Sequence, residues 1–379
     1  MEKIKGFISA NKKILLIVGG AILLLIAAVL IITLLNKEKK ETKPKESTTI
    51  EETTVEETTT AKSDDDDDED NMEGKKYSLL TGTPVNEKIA GRRPVAVMYN
   101  NIIDAIPHSG LYNASVVYEA PVEGSLTRLM GIFENYDKLT KIGSVRSSRL
   151  YYAQWAVEYD AIYCHYGQSD YALPFLNSGN INKLSGLESV GSTVYYRSSD
   201  RVAPHNAFAS ADGIKAGIAA MNYRTNYNKE FQGHFKFAEY KKRVKLKNTF
   251  AADIIRTGYR INQSWFEYNK DSKTYDRFQY GSKHIDDQNN KQLTFKNLII
   301  QYCGFSYYPD GKSLNMGNVG QGSGQYITEG KGINITWKKD SETAITHYYN
   351  DKGQEIRLNS GKTMICIIPD GSKGNVSIN

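Results

Sequence analysis

The residues with the most chemistry to offer fall between Glu119 and His205. In YEAPVEGSLTRL, Glu119, Glu123, Thr127 and Arg128 lie within ten residues. Two carboxylates flanking a glycosidic bond can act as general acid and base when one of them is desolvated. The same carboxylates can instead pair with Arg128 or Arg146 and lock the turn between two strands. Downstream, KIGSVRSSRL sets Arg146 and Arg149 among Ser144, Ser147 and Ser148. An apolar segment follows at once, so this run is expected to open a helix with Ser144 or Ser147 as its N-cap. Free backbone N–H groups and the positive end of the helix dipole would then favour an anion. Two arginines at that end need an answering negative charge. Glu119 or Glu123 can supply it from within, and a ligand carboxylate or phosphate can supply it from outside. The planar guanidinium fork suits either partner.

CHYGQSD places His165 at the C-terminal end of a strand, and RVAPHNAF places Arg201, His205 and Asn206 in a loop before a helix. Strand ends that feed a crossover are where open α/β sheets bind ligands. Cys164 and His165 are neighbours on a strand and point to opposite faces, which argues against a Cys–His catalytic pair. The candidate ligand-binding set is Glu119, Glu123, Arg128, Arg146, Ser147, Arg149, His165, His205 and Asn206. No order of Ser, His and Asp reads as a nucleophile set.

Other chemistries are poorly served. DGKS (310–313) and SGKT (360–363) carry the tail of a phosphate-binding loop, but Ser306 and Ile356 stand where the upstream glycine is required. The glycines from Gly317 to Gly332 read as turns and bulges. Cys164, Cys303 and Cys366 are three and widely spaced, which fits neither a disulfide framework nor a zinc site. No cofactor and no metal is implied.

The elements that must position these residues read as two domains. RPVAVMYN, SVVYEA, LTRLMGIFE and DAIYCHY read as strands; SRLYYAQWAVEY and ADGIKAGIAAMN read as helices. This alternation predicts a mixed α/β domain over 75–228. A β-rich domain over 229–379 follows, with strands at WFEYN, LTFKNLIIQYC, GINITWKK, AITHYYND and KTMICIIP and a short helix near 243–249. The fold class is therefore α+β.

Ahead of these domains, residues 14–35 form an apolar run of 22 residues without charge, long enough to cross a bilayer as a signal-anchor helix. Residues 1–13 form a short tail, expected inside. Residues 36–74 are rich in Thr, Glu and Asp, with the run DDDDDED, and their composition predicts a disordered linker. Positions 37–73 hold six lysines against fifteen carboxylates, which leaves a net charge of +11 on 74–379. A basic ectodomain on an acidic tether favours anionic polymers or lipid headgroups. FKFAEYKKRVKLKN (235–248) interleaves aromatics with lysines, but an exported chain makes nucleic acid an unexpected partner.

RPVAVMYNN, SVVYEAPVEGSLTRLMGIFE, KIGSVRSSRLYY, EYDAIYCHYG and RVAPHNAF, in this order and spacing, resemble the YerB-like family of bacterial lipoproteins, a two-domain family of unknown function. YRINQSWFEYN, GQGSGQYITEGKGINITWKK and YYNDKGQEIRLNSGKTMICIIPDG resemble that family's second domain. The resemblance covers about residue 75 to the end. It implies an exported, envelope-associated protein and brings no reaction. The family is usually anchored by lipid on a cysteine; this chain shows no such cysteine, and a membrane helix takes that part. The expected function is a single-pass, membrane-anchored extracytoplasmic protein that binds an anionic cell-wall polymer or an envelope partner, in a regulatory or scaffolding role. Two alternatives stand beside it: a wall-active hydrolase or transferase using Glu123 as acid or base, and a structural protein–protein interaction module.

Overall fold

The computed structural model describes residues 72–379. The expected tail, membrane span and most of the acidic linker lie outside the described residues; among the described residues no helix is long and apolar enough to cross a membrane.

One large sheet organises these residues. Its N-terminal strands are β1 (Val95–Asn100), β2 (Val116–Pro121), β3 (Thr127–Phe133), β4 (Ile162–His165) and β5 (Lys183–Ser185). A smaller sheet contains β6 (Ile254–Arg256), β7 (Trp265–Asn269) and β8 (Thr274–Gln279). The large sheet continues with β9 (Asn297–Tyr307), β10 (Gly320–Thr328), β11 (Lys331–Lys339) and β12 (Thr363–Pro369). From the short strand Phe250–Ala251 the order runs β11, β10, β9, β12, β2, β3, β1, β4, β5. The last long strand, β12, lies parallel to β9 on one side and to β2 on the other, so Cys366 faces both Ile300 and Glu119 across the ladder. Sheet hydrogen bonding therefore passes through β12 without a break.

The sheet is covered on both faces, which explains the unbroken apolar runs VAVMYN and TMICIIP. Period-2 alternation sorts them. Val95, Val97, Tyr99, Met364 and Cys366 pack with Ile214 and Ile218 and with Ile255 and Phe266 of the smaller sheet. Ala96, Met98, Ile365 and Ile367 pack on the other side with Tyr152 and Trp155. Helix α1 (Leu150–Val157) is buried from Tyr151 to Ala156, as expected of a helix apolar on most of its surface. Trp155 stacks on Tyr118 at 5.1 Å between ring centres. The Tyr152 hydroxyl donates to the Arg128 carbonyl at 2.5 Å and accepts from the Ala120 N–H at 2.9 Å, tying β2 to β3. Helix α2 (Ala211–Ala220) starts at Ser210, whose side chain accepts from the Gly213 N–H.

Three expectations need correction. Residues 243–249 form no helix. The glycines of 320–328 lie within strand β10, paired to β9 and β11, rather than in turns. A side chain on Gly322 would collide with the Trp337 ring, and one on Gly324 with the Ile300 carbonyl oxygen, so glycine serves close approach there. Finally, α1 is not capped by Ser144 or Ser147. Its N-cap is Arg149, and no side chain caps it. The preceding run is extended and held between strand ends: Arg146 N–H donates to the Met98 carbonyl, Tyr166 N–H to the Arg146 carbonyl, and Ser148 N–H to the Gly167 carbonyl. Strand-end partners outside the local sequence thus outcompete the serine caps.

Candidate functional site

The residues chosen from sequence divide into three environments. Glu119 is fully buried in β2. Its Oε2 takes the Arg277 Nη2 at 2.7 Å and the Ser264 hydroxyl at 3.2 Å; its Oε1 takes Asn262 at 2.6 Å, Thr127 at 2.8 Å and Asn101 at 3.2 Å. Arg277 is equally buried, and its Nη1 donates to His284 Nδ1. The chain of contacts continues from His284 Nε2 to His108 Nδ1 at 2.7 Å, and from His108 Nε2 to the Asn100 carbonyl at 2.6 Å. A carbonyl only accepts, so His108 carries its proton on Nε2 and His284 carries its own on Nε2. Burial drives the His108 pKa down to about 3 and that of His284 well below its ordinary value, keeping both rings neutral. This network joins Asn100, Asn101, His108, Glu119 and Thr127 to Asn262, Ser264, Arg277 and His284. It is a buried fastening between the two halves of the sequence.

Glu123, in the turn between β2 and β3, pairs with Arg149. Arg149 Nε lies 2.9 Å from both carboxylate oxygens, and Nη2 also reaches Oε2. Burial alone would raise the Glu123 pKa; the hydrogen bonds and charge of Arg149 outweigh it and hold the carboxyl below its ordinary value. The expected pairing of Glu119 or Glu123 with Arg128 or Arg146 does not occur.

Arg128 and Arg146 therefore make no ion pair among the described residues. Arg128 is buried, and its Nη1 meets only the Ser147 carbonyl, at 2.5 Å. Burial, with Arg149 and Arg146 nearby, pushes its pKa down to about 10. Arg146 Nη1 reaches the Pro204 carbonyl at 3.3 Å, while its Nε is buried without a hydrogen-bond partner. Burial, then Arg149 and Arg197, lowers the Arg146 pKa. His205 Nδ1 contacts the Asn100 amide at 2.7 Å and feels the Arg146 charge. Asn206 accepts from Arg197 at 2.8 Å. His165 is buried with Nδ1 against the Gly167 carbonyl at 2.8 Å, which leaves Nε2 as an unpartnered acceptor; burial lowers its pKa to about 4. The ends of β1 and β4 and the start of β3 thus hold Arg128, Arg146 and Arg149 within electrostatic reach of one another, with Glu123 acting on Arg128 and Arg149. Such a surplus of guanidinium groups favours an anion.

Arg277 was not singled out by sequence. Its signal was present: in TYDRFQ the buried positions are Tyr275, Arg277 and Gln279, so an arginine sits in phase with the core and needs a buried partner.

Comparison with known proteins gives matching evidence from both halves. Residues 80–224 match the N-terminal domain, and residues 255–365 the C-terminal domain, of the protein family of unknown function DUF3048. The chain is 30% identical over 302 residues to "Putative lipoprotein YerB" of Bacillus subtilis (strain 168), covering 79% of this chain and 88% of that protein. It is similar in structure to the crystal structure of the YerB protein from Bacillus subtilis, with a TM-score of 0.69 and 28% identity over 80% of this chain and 99% of the other.

Proposed function

The chain belongs to the YerB-like DUF3048 family, and on that premise we propose that it is an extracytoplasmic envelope protein that binds an anionic group at the Arg128–Arg146 cluster. In this reading the apolar run 14–35 anchors it in the membrane and the acidic stretch that follows is a tether. The relative's description as a lipoprotein supports an envelope location. The observation that carries the binding claim is the buried Arg128 beside the partly exposed Arg146, neither with a carboxylate partner among the described residues and the latter with a buried, unpartnered Nε. A cationic group withdrawn from water without a counter-charge is costly unless an anion arrives. An anionic wall polymer, rich in phosphate, has the matching chemistry.

A hydrolase using Glu123 has less support. Glu123 is bound bidentately by Arg149 and held ionised, and Glu119 is sealed by five protein donors, so the two carboxylates do not flank a shared opening. Co-sedimentation of the purified chain with wall fragments tests the proposal. The wild type is expected to sediment with them and Arg146→Ala to remain in solution with an unchanged melting temperature. Equal retention of both would sink it.

A further inference from the structure

A second opening shares Glu123 on its rim with the Arg128–Arg146 cluster and is otherwise lined by different residues. A cleft of about 740 Å³ runs between the β2–β3 turn, the segment from Arg256 to Trp265, and the outer end of β9. Its volume falls in the range of pockets that hold a ligand of several rings. Three features define its chemistry.

First, Arg256 and Arg260 line it, both exposed, and neither makes an ion pair or a side-chain hydrogen bond among the described residues. Glu123, the carboxylate on the rim, is already committed to Arg149. Second, three aromatic rings line the same cleft. Phe305 is 45% and Tyr307 58% exposed, so both present open ring surface that a ligand can cover. Trp265 is half-buried; Phe278 stacks on it at 4.8 Å and 11°, which fixes the plane of the indole. Third, the wall is rigid. The Tyr259 hydroxyl sits 3.0 Å from the carbonyls of Glu119 and Ile367, Asn262 and Ser264 hold the Glu119 carboxylate, and the Thr257 hydroxyl donates to the Ser264 carbonyl at 2.8 Å. The buried fastening described above is therefore also the floor beneath this wall. A preformed wall spares a ligand the cost of ordering it.

We infer that this cleft binds a segment of an anionic carbohydrate chain, with sugar rings against Trp265, Phe305 and Tyr307 and acidic substituents on Arg256 and Arg260. A pyranose ring presents an apolar C–H face that covers an aromatic ring, and hydroxyls that hydrogen-bond at its edge. A carboxylate or phosphate matches a guanidinium fork. A purely apolar ligand would leave the two arginines desolvated without a counter-charge, and a simple anion would leave the three rings exposed. The inference does not depend on the Arg128–Arg146 reading.

Tryptophan fluorescence gives a local readout. Of the three tryptophans, Trp155 and Trp337 are buried and Trp265 lines the cleft. The purified full chain is titrated with tetragalacturonate and, separately, with a glucose phosphate polymer of similar length, which distinguish carboxylate from phosphate as the acidic group. Saturable binding with a fluorescence change is expected for at least one. Arg256→Ala and Arg260→Ala should each weaken it about tenfold, the size of a charged hydrogen bond. Tyr307→Ala should weaken it too, and Lys331→Ala, at an exposed position outside the cleft, should leave it unchanged. All four positions are exposed or lack side-chain partners in the core, so melting temperatures serve as the folding control. Absence of binding to both probes, or binding indifferent to both arginine substitutions, overturns the assignment. Equal affinity for tetraglutamate overturns its carbohydrate part.

Discussion

At the scale of residues, two carboxylates four positions apart have opposite fates. Glu119 is a buried partner of Arg277, whereas Glu123 is a half-exposed partner of Arg149. Removing one member of a fully buried pair leaves the other uncompensated, so Glu119→Ala is expected to lower stability by about 3–5 kcal/mol in a denaturant titration. Arg149→Ala, at a partly exposed bidentate pair, should cost about 1 kcal/mol. The buried histidines set a pH dependence. His108, His165 and His284 have folded pKa values below the unfolded value, so the unfolded chain takes up protons that the folded chain refuses. Their stabilising neutral state is intact above about pH 6.5, and stability falls as pH drops from there towards about 4. Glu134 and Asp286, whose carboxyl pKa values burial raises, act in the opposite sense and soften that slope. Denaturation midpoints at pH 7, 6 and 5 should fall in that order; a flat profile would show that the rings are not held neutral. The residue types that matter were visible in the sequence, but their partners were not. Glu119 and Arg277 are 158 positions apart, and only the fold brings them together.

At the scale of elements, most strands and the two longest helices of the described residues could be read from periodicity, because a sheet covered on both faces needs long apolar runs and a buried helix needs an apolar surface. The failures share a cause. The run from Ser144 to Arg149 looks like a helix start, yet its backbone partners are Met98 and Gly167, which local sequence does not specify. Glycines in β10 look like turn residues because their packing partners, Trp337 and the Ile300 carbonyl, come from other strands. Strand β12 carries the clearest consequence. It hydrogen-bonds in parallel to β2 and β9 at once, so Ile365→Pro should remove ladder bonds and abolish cooperative folding of both halves. Hydrogen exchange is the check: protection should disappear from β2 and β9 together. Loss from only one of them would contradict the stitching role.

At the scale of the whole molecule, a basic folded portion carries more guanidinium charge at one set of strand ends than the carboxylates of the described residues answer. The sequence posed that question through Arg146 and Arg149; the structure answers that Glu123 takes Arg149 and that, among the described residues, Arg128 and Arg146 have no carboxylate partner. The balance makes a signed expectation. Removing the Glu123 charge frees a third arginine, so an anion should bind more tightly, whereas removing Arg146 should weaken it. The most direct measurement is calorimetric titration of the purified chain with poly(glycerol phosphate) at low and physiological salt. Saturable binding that weakens with salt is expected, with Arg146→Ala weaker by about tenfold and Glu123→Gln tighter by about two- to fivefold. No binding by the wild type, or a Glu123→Gln chain that binds more weakly than wild type, would contradict it.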